Sequence, residues 1–201
     1  MFRFTFRLFG TGVLFLYFLT VAGLAFADDV TDAIDEALQN YKDGKYSEAM
    51  GSLNYASQLI GQKKGGDLQS FLPRPLDGWT ADDSTSQASG AAMFGGGVTA
   101  ERRYSKESGS VSVRIVTDSP MLQSIIMMFG NPAIAASDGG KMEKISGQKA
   151  IVKYSNSQKN GTITIVVANR FLVTIEGHDA SMDDIKAYAK NIDYKKLAEV
   201  Q

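Results

Sequence analysis

The chain has 201 residues, no cysteine and one histidine, and its 21 basic and 22 acidic side chains leave a net charge of −1. The missing cysteine excludes disulfides, thiolate nucleophiles and thiolate metal sites. The near-neutral, scattered charge argues against a nucleic-acid partner.

The first residues carry Arg3 and Arg7 and no acid; an apolar run follows from Leu8 to about Ala25, closed by Ala25-Phe26-Ala27 before Asp28-Asp29. A positive start, an apolar middle and small residues at −3 and −1 form a secretory signal peptide, with cleavage expected after Ala27. The competing assignment is an uncleaved anchor, since the run is close to the lower limit of about 17 residues for crossing a bilayer. Cleavage removes Arg3 and Arg7 from the 21 basic residues, leaving 19 against 22 acids and no transmembrane span. The expected location is periplasmic or secreted, and an exported chain without disulfides suits a bacterial envelope.

Residues 28–62 read as a helical hairpin. Val30, Ala33, Ile34, Ala37, Leu38 and Tyr41 recur at three- and four-residue spacing, Gly44 interrupts, and Tyr46, Ala49, Met50, Leu53, Ala56, Leu59 and Ile60 repeat the pattern. The positions Ala37, Gly44, Tyr46, Ala49, Leu53 and Ala56 resemble a single tetratricopeptide-type repeat, a helix–turn–helix interaction unit. Ala33 stands at the family's early large apolar position, and Gly61 stands where a closing proline is usual. A lone repeat cannot bury its own apolar face, so the hairpin is expected to pack on the rest of the chain, on another copy or on a partner.

Residues 63–77 have the composition of a linker, Lys63-Lys64-Gly65-Gly66 followed by Leu72-Pro73-Arg74-Pro75-Leu76, in which each proline favours extended backbone before it. Trp79, the only tryptophan, is expected to anchor a core. Residues 78–201 form the main domain. Strands are predicted over 98–104 and 111–116 around a Lys-Glu-Ser-Gly turn, then over 142–145, 150–154, 162–168 and 171–175. Asn160-Gly161 is the expected hairpin turn before the strand at 162, and Asn169-Arg170 the turn after it. A final helix starts at Ser181, where Ser181 and Asp184 approximate a capping box. The fold class is therefore α+β: an N-terminal helical hairpin followed by an antiparallel sheet with helices packed on one side.

Catalytic motifs are missing. The sequence contains no G-x-S-x-G elbow, H-E-x-x-H, Walker loop or EF-hand loop. His178 falls at a strand end as a polar loop residue, and the pairs Asp82-Asp83 and Asp183-Asp184 are adjacent and point apart, unlike carboxylates that flank one bond. The chain is expected to be no enzyme and to need no cofactor.

Two apolar anomalies remain. A glycine-rich stretch over 90–97 carries Met93 and Phe94 where loops are usually polar, and the segment Met121-Leu122-Gln123-Ser124-Ile125-Ile126-Met127-Met128-Phe129 is apolar nearly all round. Such a helix is usually buried on both faces. If it is not, Met93, Phe94, Met121, Ile126, Met127 and Met128 offer a surface for a protein partner or hydrophobic ligand in the envelope. An alternative is a periplasmic copper-handling role with methionine thioethers as Cu(I) ligands. Only Met121 and Met128 share a helix face in that scheme.

Overall fold

In the computed structural model, residues 28–88, 97–131, 133, 136 and 139–200 are described. The chain forms two N-terminal helices, α1 (Asp29–Lys42) and α2 (Tyr46–Gln69), and then an antiparallel sheet. The strands are β1 (Thr80–Ala81), β2 (Thr85–Ala88), β3 (Val98–Lys106), β4 (Gly109–Thr117), β5 (Lys141–Ile145), β6 (Gln148–Ser155), β7 (Asn160–Val167) and β8 (Phe171–His178). Helix α3 (Met121–Gly130) lies between β4 and β5, and α4 (Met182–Lys190) and α5 (Tyr194–Glu199) close the chain.

The eight strands are ordered β1-β3-β4-β8-β7-β6-β5, with β2 also paired to β3. After β4 the chain passes through α3 to the far edge at β5, then winds back through tight turns until β8 lies against β4. All these pairings are antiparallel. Strict alternation decides the buried face: Val111, Val113 and Ile115 of β4 are fully buried, as are Val173 and Ile175 of β8 and Ile163 and Ile165 of β7. Ser112, Arg114, Thr174 and Thr164 point the other way, where Arg114 Nε donates to Glu101 Oε2 at 2.9 Å. This is the architecture of one packed and one largely polar face.

Helices α2, α4 and α5 cover the packed face. Ile185, Tyr188, Tyr194 and Leu197 are buried there in one cluster with the strand residues. Ser181 caps α4 as its sequence indicates, accepting from Asp184 N at 3.1 Å. Trp79 is buried edge-on against Tyr188, ring centroids 5.5 Å apart, and Tyr104 lies on the same ring at 4.3 Å. Tyr104 donates to Pro73 O at 2.6 Å, and Leu76 N donates to Tyr188 Oη at 3.4 Å, so the proline-rich lead-in is tied to the core on both sides. The small α3 sits over a corner of the opposite face, where Phe129 and Ile151 form a separate cluster with Ile125, Met142 and Val166.

Two local expectations change. The composition of residues 63–66 suggested a linker, yet α2 continues through Lys63-Lys64-Gly65-Gly66 to Gln69. Glycine costs a helix about 1 kcal/mol relative to alanine, but here it permits contact: a Cβ at Gly65 would stand 2.9 Å from Ser86 Cβ and 3.4 Å from Val98 Cγ1. The helix is held by the sheet it touches. Asn160-Gly161, expected to make a turn, is instead paired in β7, with Ser155 opposite Asn160 and Tyr154 opposite Gly161. The turn lies at residues 156–159, and Lys159 adopts φ +49°. Gly161 faces Gly177 across β7–β8, and a Cβ at Gly177 would come within 2.3 Å of Ile185 Cδ1. The two glycines open a notch for Ile185, so packing beneath α4 rather than chain reversal accounts for glycine here.

Candidate functional site

The hairpin is assembled from strong local signals. Asp28 caps α1, its Oδ1 accepting from Val30 N at 3.3 Å, while Asp29 and Asp32 occupy the first turn at the positive end of the helix dipole. Asp28 is also paired with Lys63 across the base of the hairpin, and that hydrogen bond lowers its pKa below the usual carboxylate range. Gly44 at φ +73° ends α1, with Lys45 N donating to Asn40 O at 2.9 Å, and the chain re-enters helix at Tyr46.

Between the helices the buried residues are almost all alanine: Ala33 and Ala37 in α1, Ala49 and Ala56 in the facing part of α2. Small side chains bring the helices close together. The larger apolar residues then flank the seam instead of filling it. Ile34, Leu38 and Tyr41 of α1 and Tyr46, Met50 and Leu53 of α2 keep between 42% and 65% of their surface exposed. They line a groove of about 450 Å³ whose floor is Ala37 and Ala49. Tyr41 and Tyr46 close its tip end, ring centroids 5.7 Å apart.

No carboxylate, amine, guanidinium or imidazole lines this groove, and its character is that of an apolar contact surface. Full burial of a large apolar side chain is worth about 1.5–3 kcal/mol; six that are half covered leave on the order of 5 kcal/mol for whatever covers them. A second, open cleft of about 570 Å³ lies beside α5 and the β5–β6 turn, lined by Gln148, Lys190, Asp193, Lys195 and Glu199 among others. Its Asp193 is already engaged as the α5 cap, accepting from Lys196 N at 3.1 Å. The cleft is a gap between charged surface residues, with no set of groups converging on a point inside it.

The residues singled out from sequence fall elsewhere. Met93 and Phe94 lie outside the described residues. Met121 opens α3, and its side chain is likewise outside the description. Leu122 and Phe129 are buried, Ile126 and Met128 are half-buried, and Met127 is 69% exposed. Helix α3 is thus packed along one side and open at Met127, not enclosed on both faces as a uniformly apolar helix suggests. Of those whose side chains are described, Ile126, Met127 and Met128, none lines the hairpin groove. The sequence did carry the groove's signal, since every lining residue belongs to the apolar repeat of the hairpin. What periodicity could not provide was the side of the stripe that remains uncovered.

His178 ends β8 opposite Ser110 and is exposed. Among the described residues no group of three His, Cys, Asp or Glu side chains could hold a metal ion, and no helix is long and apolar enough to cross a membrane. Comparison of the chain with protein families, with curated proteins and with solved structures found no match.

Proposed function

We propose that this protein is a non-catalytic binding or accessory module of the cell envelope that acts through the apolar groove of its helical hairpin. The observation that carries the proposal is the concentration of exposed large apolar residues: all those more than 40% exposed among the described residues lie on α1 and α2, except Met127. Large apolar residues at a groove, ringed by polar ones, mark interaction sites rather than ordinary surface. The alanine seam supports the tetratricopeptide-type resemblance of the hairpin, a unit that works by presenting a helix face to a partner. The N-terminal segment, with its basic start and its Ala25-Phe26-Ala27 end, supports export.

The groove is tested with an apolar fluorescent probe such as bis-ANS. The chain starting at Asp28 should bind the dye, and Met50→Glu should reduce binding about tenfold while leaving the thermal midpoint unchanged, because Met50 is 65% exposed. Dye binding that survives Met50→Glu and Leu38→Glu would place the apolar surface elsewhere. N-terminal sequencing of the protein from its host tests the export part: an N-terminus at Asp28 is expected, and Met1 would remove the argument for cleavage.

A further inference from the structure

Away from the hairpin, the open face of the sheet carries a second unusual surface. We infer that α3, together with Lys144 and Lys149 beside it, docks on an anionic phospholipid bilayer, a contact separate from the groove.

Helix α3 has no charged residue in its sequence Met-Leu-Gln-Ser-Ile-Ile-Met-Met-Phe-Gly. Leu122, Ile125 and Phe129 lie within about 60° of one another round the helix, and Ile125 and Phe129 pack with Met142, Ile151 and Val166. Met127 is about 160° from both, so it crowns the outer ridge, 69% exposed, with Ile126 and Met128 half-buried on its flanks. A surface helix normally turns charge towards water; this one turns a methionine.

The strands beneath it set the charge. On β5, β6 and β7 the positions that share the face of α3 carry three lysines, Lys144, Lys149 and Lys153, and no acid. Glu143, the one acid of β5, points the other way, where Lys186 of α4 donates to it at 2.6 Å. Lys144 and Lys149 are exposed and have no ion pair among the described residues. They stand directly opposite each other in the β5–β6 pair, with Cβ atoms about 5 Å apart, where like charges oppose pairing. Each is two residues from a residue that seats α3, Met142 or Ile151, a step of about 7 Å along the strand. Two uncompensated ammonium groups thus border the apolar ridge.

That combination selects the occupant. A bilayer surface offers an apolar boundary to Met127 and phosphates to the lysines at the same time. Lysine is a point charge that suits headgroups without fixed geometry, whereas a defined carboxylate partner favours the planar fork of arginine. With 10 residues α3 is about 15 Å long, so it lies on the surface and does not span it. Helix α2 packs on the other face of the sheet, and the contact therefore does not use the hairpin. A lipid surface as the anion follows from the proposed envelope location.

The test floats the chain starting at Asp28 with vesicles of phosphatidylcholine, with or without about one third phosphatidylglycerol. Flotation should occur with the anionic vesicles and be at least about tenfold weaker without the anionic lipid. Lys144→Gln combined with Lys149→Gln should weaken it about 25-fold, and Met127→Ser about tenfold. Lys149→Glu, placed opposite Lys144, should abolish flotation while raising the melting midpoint slightly, so that lost binding is not lost folding. Met50→Glu, in the groove, should leave flotation unchanged. No flotation with anionic vesicles, or equal flotation with both kinds, overturns the inference. So does a loss caused by Met50→Glu in place of the lysine pair, which would put lipid in the groove. Retention on polyglutamate that depends on the two lysines, with Met127→Ser without effect on vesicles, would make the patch a site for an acidic protein and overturn the lipid assignment. Met50-dependent bis-ANS binding, read on the same samples, follows the groove alone: its absence removes the groove reading and leaves bilayer docking standing, and the converse result does the reverse.

Discussion

The hairpin and the sheet each carry a periodic stripe of large apolar residues, and the two stripes end in opposite states. In the sheet, Val113, Ile115, Ile165 and Ile175 are fully buried; in the hairpin, Leu38, Met50 and Leu53 keep about half or more of their surface. The difference is one of layers. The long strands β3, β4, β7 and β8 bury one face in the cluster that α2, α4 and α5 complete, and so find a second layer within the chain. The hairpin spends its alanines on contact between its own two helices, and only the far part of α2, at Gly61, Gly65 and Leu68, is buried again near the sheet. Apolar periodicity thus reports that a face must be covered, and is silent on whether the chain itself covers it.

The largest effect that could break this contrast is truncation of an apolar residue in each region. Ile175→Ala should cost about 2–5 kcal/mol through lost transfer energy and a cavity. Leu53→Ala, at a side chain 53% exposed, should stay within about 0.5 kcal/mol. Urea denaturation of both variants decides the matter; equal losses would mean that the hairpin face is packed after all.

A titration sharpens it next. Burial pushes the phenol of Tyr104 up to about 12, and burial likewise raises Tyr188 to about 12. These are groups whose charged form is disfavoured in the folded state. Their contribution is complete below the ordinary tyrosine pKa near 10 and is lost as the pH climbs from there towards 12. Thermal midpoints followed by Trp79 emission should fall over that window. Tyr104→Phe should flatten part of the fall, at the cost of the hydrogen bond to Pro73 O. A midpoint unchanged up to pH 12 would show that the phenols are solvated.

The smallest and most local comparison is between neighbouring glycines of α2. Gly66 has open space around a would-be Cβ, so Gly66→Ala should stabilise by up to about 1 kcal/mol through helix propensity and a less flexible unfolded chain. Gly65→Ala, one residue away, would push against Ser86 and should destabilise by about 1–3 kcal/mol. The same sign for both would mean that α2 does not lie on β2 and β3 as closely as described.

Much of the fold was legible because its signals are local. The β4 alternation, the Ser181 cap, the Lys-Glu-Ser-Gly reversal between β3 and β4 and the Gly44 break all act within a few residues. The errors arose where a glycine had a long-range reason. Gly161 looked like half of a turn and is a notch for Ile185; Gly65 looked like linker and is a contact with Ser86. The site was half legible. The apolar stripe of the hairpin was visible, whereas attention to the Met-rich segment led to α3, whose Ile125 and Phe129 pack with Ile151 and Met142.

From residue order alone came the α+β class, the antiparallel winding forced by tight turns, the hairpin with its unfilled face, and the absence of recognised catalytic motifs. These follow from hydrophobic period, turn chemistry and residue inventory, which are properties of short segments. Only the tertiary structure decided that β8 returns to lie beside β4, that α2 runs onto the sheet through its glycines, and that Ile34, Leu38, Tyr41, Tyr46, Met50 and Leu53 are left in the open. Those outcomes depend on which surfaces the whole chain can bring together at once: the sheet had three helices to cover it, and the hairpin had only its own alanines.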